Sequence, residues 1–314
     1  MILPEKCRCL KLFAGFIEEY NEKQLGQLLE NELLSKHTTL RVGGIARVLV
    51  VPNGEASFIE TVKIVKDYQL NFKIIGKGSN LLPSDNEYRG VIIKCDKGLD
   101  DVKIEGTMIT AGAGISTGFL ANLAAKAGLS GLEFISGIPA SLGGAIYMNA
   151  GAYNKEVKDV LVKALIIDEY GKLRWLTNED FNFSYRFSVM QQHQEWIVVK
   201  AILQLEEGNS EEIIELMKIR KERRKASQPL NMPSAGSTFR NPLPHASWKL
   251  IEDAGLRGLA IGGAEVSAKH CNFIVNTKNA SATDILKLIQ HVQKTVFEKY
   301  GIELHPEVEM FNWE

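Results

Sequence analysis

The sequence predicts an α+β protein built from more than one domain, and three observations carry that expectation. The chain has 314 residues, more than a single hydrophobic core usually organises. An apolar run over residues 48–52, a helical stripe through Phe58, Val62 and Val65, and a second apolar run over residues 72–75 follow one another as strand, helix and strand. A long amphipathic segment near the end, with Ile285, Leu288, Ile289, Val292 and Val296 spaced by three and four, predicts a helix over residues 282–300.

Taken in order, further strands are expected at Val91-Ile92-Ile93, Val102 to Ile104 and Met108 to Ala111, with turn residues between them. A helix is expected over residues 116–127, with Phe119, Leu120, Leu123, Ala124 and Ala127 on one stripe and Gly128 as its stop. Near residue 208 the character changes. Gly208-Asn209-Ser210 reads as a cap, Glu211 and Glu212 lie in the first turn, and Arg220, Lys221, Arg223, Arg224 and Lys225 lie at the end, an order that complements the helix dipole. The same charges also suit a solvated helix bridging two domains. The last helix ends at Gly301 and leads into a strand near Val308.

Lys and Arg number 37 against 38 Asp and Glu, so no global field favours nucleic acid or an anionic membrane. No run of 18 apolar residues occurs, and charges and Pro4 interrupt the first residues, so neither a membrane span nor export is expected and a cytoplasmic protein is. Cys7, Cys9, Cys95 and Cys271 are too few and scattered for a disulfide framework, and the six histidines form no ligand cluster. Free thiols and no metal are expected.

Chemistry concentrates in three segments. In Gly76-Lys77-Gly78-Ser79-Asn80, small residues after an apolar strand let backbone N–H groups converge on an anion; a phosphate or a tight strand-to-strand turn accounts for it equally. In Ser136-Gly137-Ile138-Pro139-Ala140-Ser141-Leu142-Gly143-Gly144, Pro139 suits the first turn of a short helix whose N-terminus would face a pyrophosphate. The third, Pro233-Ser234-Ala235-Gly236-Ser237-Thr238-Phe239-Arg240-Asn241-Pro242, presents a hydroxyl between glycine and proline hinges, as a surface turn also would. Neither G-x-G-x-x-G between strand and helix nor G-x-x-x-x-G-K-[ST] occurs, which sets aside a Rossmann dinucleotide site and a P-loop.

Six motifs in order carry a resemblance. They are His37-Thr38-Thr39-Leu40-Arg41-Val42-Gly43-Gly44, Gly76 to Leu82, Gly131-Leu132-Glu133-Phe134-Ile135 running through Ser136 to Tyr153, Tyr185-Arg186-Phe187-Ser188, Gly236-Ser237-Thr238-Phe239, and Pro306-Glu307-Val308. With them, from about residue 35 on, the chain resembles the UDP-N-acetylenolpyruvoylglucosamine reductase (UDP-N-acetylmuramate dehydrogenase) family. The resemblance implies an FAD-binding module of the vanillyl-alcohol oxidase / p-cresol methylhydroxylase type in two subdomains, residues 1–95 and 96–207, followed by a C-terminal α+β UDP-sugar domain over residues 208–314.

By matching motifs, Gly43, Gly76, Lys77, Gly78, Ser79, Asn80, Leu81, Gly137, Ile138, Pro139, Ser141 and Gly144 would lie along a non-covalent FAD, with Asn149, Ala150 and Gly151 near its ring. Arg186, Ser237 and Glu307 occupy the three catalytic positions, and Tyr185, Lys225, Asn241 and His270 are expected at the substrate. The implied reaction takes a hydride from NADPH through flavin N5 to the enolpyruvyl ether of UDP-N-acetylglucosamine-enolpyruvate, with Arg186 and Glu307 stabilising the enolate and Ser237 giving the proton. That reaction belongs to peptidoglycan precursor synthesis, and a monomer is expected.

Read without the resemblance, Arg186 suits an ordinary salt bridge, Glu307 an exposed carboxylate, and His270 a packing or diphosphate-binding role. Two departures stand out. Family members commonly carry Lys-Gln-Pro where this chain has Ser227-Gln228-Pro229, and Cys271 stands where alanine is usual. The short span between Arg186 and Ser237 resembles the branch that lacks an insertion and its substrate-covering tyrosine. An oxygen-using oxidase of the same flavin fold and a nucleotide-sugar-binding regulator with an empty flavin pocket are the competing readings.

Overall fold

A computed structural model describes residues 5–313, with side chains from residue 11 onward. The Cys7 and Cys9 thiols therefore lie outside the described residues; Cys95 and Cys271 are buried and free. The chain forms two compact units that are not contiguous in sequence. The first comprises the residues up to Asn31, Arg47–Lys77 and Arg89–Ile219; the second comprises Glu32–Ala46, Gly78–Tyr88 and the residues from Arg220 on. These boundaries differ from linear divisions at residues 95 and 207, because two short N-terminal segments pack with the C-terminal third.

In the first unit, helix α1 (Glu5–Glu22) buries Phe13, Phe16 and Tyr20, an element that the charged start of the chain does not announce. Helix α2 (Glu55–Asp67) buries Phe58, Val62 and Val65 through the expected stripe. Phe58 is fully enclosed, and truncating it to alanine would cost about 3 to 5 kcal/mol. A four-stranded sheet runs in the order Gly26–Leu33, Ile45–Pro52, Tyr88–Lys94, Phe72–Ile75, with Phe72 opposite Val91 in the parallel pair. A five-stranded antiparallel sheet runs in the order Leu173–Thr177, Leu161–Ile167, Ile197–Gln204, Met108–Gly112, Val102–Glu105. Three more helices follow in chain order: α3 (Thr117–Lys126), the short α4 (Leu142–Tyr147) and α5 (Ser210–Ser227). The Asn209 side chain caps α5 by accepting from the N–H groups of Glu211 (2.9 Å) and Glu212 (3.1 Å).

The second unit is organised on two helices, α6 (Ser247–Asp253) and α7 (Ala282–Tyr300), and a three-stranded antiparallel sheet of Ala260–Ile261, Ala264–Val266 and Ile274–Asn276. The stripe on α7 is buried as its spacing predicts, and Gly301 closes the helix in the left-handed region at φ 67°. Its N-terminus is over-determined. Ser281 and Asp284 form a capping box, and the Asp85 carboxylate accepts from the N–H groups of Ala282 (2.8 Å) and Thr283 (2.9 Å). Strand Leu81–Pro83 pairs in parallel with Glu309–Phe311, placing Leu81 opposite Glu309. Among the described residues no helix is long and apolar enough to cross a membrane, and no group of three His, Cys, Asp or Glu side chains is placed to hold a metal ion.

Candidate active site

In the first unit the structure gathers Asn149, Gly151, Glu156, Tyr185 and Arg186. Ser184 and Phe187 exchange backbone hydrogen bonds of 3.1 Å in both directions, which makes a tight turn with Arg186 in the left-handed region at φ 56°. A non-glycine residue there costs on the order of 1 kcal/mol or more, and the surroundings hold it in place. Gln191 donates to the Arg186 carbonyl (3.0 Å), and Arg186 Nη2 donates to the Gly151 carbonyl (2.8 Å). The guanidinium lies 3.9 Å from Glu156 Oε1 and sits over the Tyr185 ring, 4.9 Å from its centroid. Arg186 thus emerges from a rigid turn with its fork oriented by a carbonyl, a carboxylate and a ring.

In the second unit the segment carrying Ser237 is clamped on both sides. Thr238 N–H donates to the Asn272 carbonyl (2.7 Å), and the buried Asn272 side chain meets both backbone groups of Phe239, accepting at 3.0 Å and donating at 2.8 Å. On the other side Glu307 N–H donates to the Thr238 carbonyl (2.8 Å), and Arg240 N–H donates to the His305 carbonyl (3.0 Å). Asn80 Nδ2 donates to the Glu307 carbonyl (3.1 Å), and the Asn80 carbonyl accepts from Glu309 N–H (2.9 Å). Three chain segments remote in sequence, at residues 80–83, 237–239 and 307–311, therefore lie side by side, and two of the three catalytic candidates stand on neighbouring backbones.

The glycine-rich segments fit a phosphorylated group, with one correction. A Cβ on Gly76 would approach Ser141 Oγ to 2.1 Å, and a Cβ on Gly78, at φ 62°, would approach the His37 carbonyl to 2.1 Å. At Gly78 the obstacle is backbone and the φ is left-handed, so no larger residue fits; at Gly76 a larger residue would require the Ser141 side chain to move. The backbone N–H groups of Gly76 through Asn80 donate to no backbone carbonyl among the described residues, so the donors an anion requires are present. Lys77 is partly committed, since its Nζ bonds Asp96 Oδ1 at 2.6 Å. Ser79 is half-buried, and Leu81 is buried in its strand. A Cβ on Gly43, at φ 121°, would meet the Pro83 ring at 2.8 Å and the Leu34 side chain at 3.0 Å.

The expected helix N-terminus at Pro139 is not where the structure puts it. The cap of α4 is Ser141, and Pro139 lies two residues earlier. The first N–H groups of α4 are already used: Leu142 donates to the Ile115 carbonyl (2.9 Å), Gly143 to Ala113 (2.8 Å) and Gly144 to Ser141 Oγ (3.4 Å). The turn after strand Met108–Gly112, remote in sequence, and the helix's own cap take the donors a pyrophosphate would have needed. In the preceding loop Gly137 and Pro139 are exposed, while Ile138 is half-buried and donates to the Ile135 carbonyl (3.0 Å).

Asn149 is also placed differently from a cofactor contact. It is fully buried, and its carboxamide donates to Glu156 Oε2 (3.1 Å) and the Ser184 carbonyl (2.9 Å) while accepting from Lys158 N–H (3.1 Å). Ala150 continues the same buried turn, its N–H donating to the Ala145 carbonyl (2.8 Å).

Among the substrate candidates, Asn241 Oδ1 accepts from Ser247 N–H (3.0 Å) at the start of α6. Lys225 is exposed and pairs with Glu222 (2.8 Å). His270 lies beside Phe273, with ring centroids 4.9 Å apart, and burial, aided by the charge of Arg257, pushes its pKa down. Its Nδ1 faces the Asn272 N–H at 3.3 Å, as suits a neutral ring. Sequence reasoning did not anticipate Glu156, Asn272 or Lys269, whose Nζ donates to the Lys225 carbonyl. Among the described residues, Arg240 Nε is the buried side-chain nitrogen without a hydrogen-bond partner, an orphan donor of the kind an anionic ligand satisfies.

Comparison with known proteins identifies the family. A family model described as an FAD binding domain matches residues 46–177, which makes the chain an FAD-dependent oxidoreductase once joined to the second match. That second match is the UDP-N-acetylenolpyruvoylglucosamine reductase C-terminal domain, over residues 228–311. The UDP-N-acetylenolpyruvoylglucosamine reductase of Bacillus subtilis is 49% identical over 294 residues, covering 94% of this chain and 97% of its own length. The enzyme of the same name from Bacillus licheniformis is 50% identical over 294 residues, with the same coverage. The crystal structure of the reductase from Thermus caldophilus superposes with a TM-score of 0.77 at 34% identity, covering 91% of this chain and 98% of that one. The chain belongs to the UDP-N-acetylenolpyruvoylglucosamine reductase family.

Proposed function

We propose that the protein uses NADPH to reduce the enolpyruvyl ether of UDP-N-acetylglucosamine-enolpyruvate to UDP-N-acetylmuramate, a cytoplasmic step of peptidoglycan precursor synthesis. The observation that carries the proposal is the joining of Asn80, Glu307 and Thr238 by backbone and amide bonds, which puts the end of the glycine-rich loop over residues 76–80 beside Ser237 and Glu307. FAD, when bound, supplies the relay between nicotinamide and enolpyruvyl carbon. The loop over residues 76–80, with Gly43, Gly137, Ile138, Pro139, Ser141, Gly144, Ala150 and Gly151, would hold it without a covalent bond. The division of labour is FAD on residues 1–95 and 96–207 and the UDP-sugar on residues 208–314.

Arg186 pairs its planar fork with the substrate carboxylate, where charge builds as the double bond is reduced. Glu307 shares a proton with the enolic acid, and Ser237 delivers a proton to the adjacent carbon. The Ser237 hydroxyl is half-buried and makes no hydrogen bond to another described residue, so it is available to a ligand. The orphan Arg240 Nε supports a cation at the substrate diphosphate in place of the lysine missing at Ser227. Tyr185, Lys225, Asn241 and His270 complete the substrate surface, and the working species is a monomer.

The test uses the purified protein. It should be yellow, release that colour on acid precipitation, be bleached by NADPH, and convert the enolpyruvyl substrate to a product two hydrogens heavier. Oxygen consumption without any need for the enolpyruvyl acceptor would overturn the assignment.

A further inference from the structure

We infer that Asn149 is a positioning residue that fixes Arg186 from behind, by way of Glu156 and the Ser184 carbonyl. The inference rests on the reading of Arg186 as the substrate-carboxylate clamp. Both amide hydrogens of Asn149 and its oxygen are consumed inside the protein by three partners on two chain segments: the Glu156 carboxylate and the Lys158 N–H on one, and the Ser184 carbonyl on the other. Two of those three lead to Arg186. Ser184 starts the turn whose left-handed residue is Arg186, and Glu156 presents its other oxygen 3.9 Å from the guanidinium.

The division of the Glu156 carboxylate is the informative detail. Its Oε2 is held by Asn149 Nδ2 (3.1 Å) and Lys158 Nζ (3.0 Å), which leaves Oε1 for Arg186. The carboxylate is thereby kept from closing on the guanidinium as a bidentate pair, which would compete with a substrate carboxylate for the same fork. Gly151, whose carbonyl takes Arg186 Nη2, follows Asn149 by two residues on the same turn. Asn149 is itself left-handed at φ 42° and fully buried. Its side chain therefore sets the main chain on which Arg186 stands, the carboxylate that orients its fork and, through the turn, the carbonyl it donates to.

The decisive variant is Asn149→Asp in the FAD-loaded enzyme. It keeps the size of the side chain but turns two donors into acceptors facing the Ser184 carbonyl and the Glu156 carboxylate. The charged groups around position 149 are Glu156, Lys158, Asp159 and, beyond Glu156, Arg186. Burial and the Glu156 charge raise the pKa of the new carboxyl, and its protonated form regains one O–H donor. At about pH 8, kcat should fall and KM for the enolpyruvyl substrate should rise so that kcat/KM drops at least tenfold, on the scale of a lost positioning contact. Activity should recover on acidification, an acid limb that the wild type and Arg186→Lys lack. The rate of flavin bleaching by NADPH alone, and substrate binding by calorimetry, separate this from a general loss of structure: bleaching should be unchanged while binding weakens.

Wild-type kcat and KM at every pH in Asn149→Asp, with Arg186→Lys impaired, would overturn this inference alone. Wild-type turnover in Arg186→Lys would overturn the reading beneath it. If Asn149→Asp does not retain FAD, Glu156→Gln decides the matter. It keeps an oxygen for Asn149 while removing the charge facing Arg186, and unchanged kcat and KM there would overturn the inference.

Discussion

Asn272 acts toward Phe239 as a neighbouring strand would: its side-chain oxygen accepts from Phe239 N–H at 3.0 Å and its side-chain nitrogen donates to the Phe239 carbonyl at 2.8 Å. A single carboxamide thus supplies both halves of a ladder rung two residues from Ser237. Asn272→Ala should lower stability by about 2 to 4 kcal/mol, since two buried backbone groups lose their partner. Urea unfolding measures the loss; a midpoint equal to the wild type would remove this clamp from the account.

Ser237→Ala separates the two halves of the proposed reaction. Flavin bleaching by NADPH should stay near the wild-type rate, while reoxidation by the enolpyruvyl substrate should slow by about 10² to 10⁴, the usual worth of a positioned general acid. Stopped-flow absorbance follows both steps in one preparation. Equal slowing of both would make Ser237 an organising residue.

Arg186→Lys should remain folded and lose on the order of 10² in kcat, by analogy with deleting one oxyanion donor, because a point charge does not reproduce a planar fork. Steady-state kinetics with unchanged turnover would reduce Arg186 to a structural part of its turn.

His270 makes stability depend on pH in a definite direction. Its folded pKa lies below the ordinary 6.5, so between those two values the unfolded chain binds the extra proton. The stability contributed by the neutral ring is fully present above 6.5 and is lost as pH falls toward the folded pKa. Protonation would also set an N–H on Nδ1 against the Asn272 N–H it now faces. Thermal melts on either side of this window should show His270→Gln losing less stability than the wild type on acidification; parallel curves would assign the pH dependence elsewhere.

Gly76→Ala should weaken FAD retention, because the added methyl collides with Ser141 Oγ 2.1 Å away. Adding Ser141→Ala removes the colliding oxygen and should restore part of the retention, measured by flavin content after dialysis. No difference between the single and double variants would exclude the collision as the cause.

Much of this was legible in advance where local pattern decides the outcome. Helix α7 begins and ends where its stripe and Gly301 say, and strand Phe72–Ile75 has its expected bounds. The larger sheet was not anticipated beyond its strands near residues 102 and 108. Leu161–Ile167 reads Leu-Val-Lys-Ala-Leu-Ile-Ile, a short apolar run whose spacing fits a buried helix as well as a strand. The start of α4 could not be read because its N–H groups answer to Ala113 and Ile115, about thirty residues away. Asn149 and Glu156 were hidden for the same reason: their meaning lies in Ser184 and Arg186, which only folding brings near.

The discontinuity of the second unit bears on how the protein is made. Leu81–Pro83 acquires its parallel partner from Glu309–Phe311, and Ser84 meets the Asn312 side chain across 228 positions. Asp85 likewise has no helix to cap until Ala282 and Thr283 exist. During vectorial synthesis residues 78–88 emerge early and must wait for nearly the whole remaining chain. A fragment beginning at Arg220 would lack that strand and that cap, so the second unit is not separable by cutting the chain at one place, and nascent chains stalled before residue 309 should stay sensitive to protease in this unit.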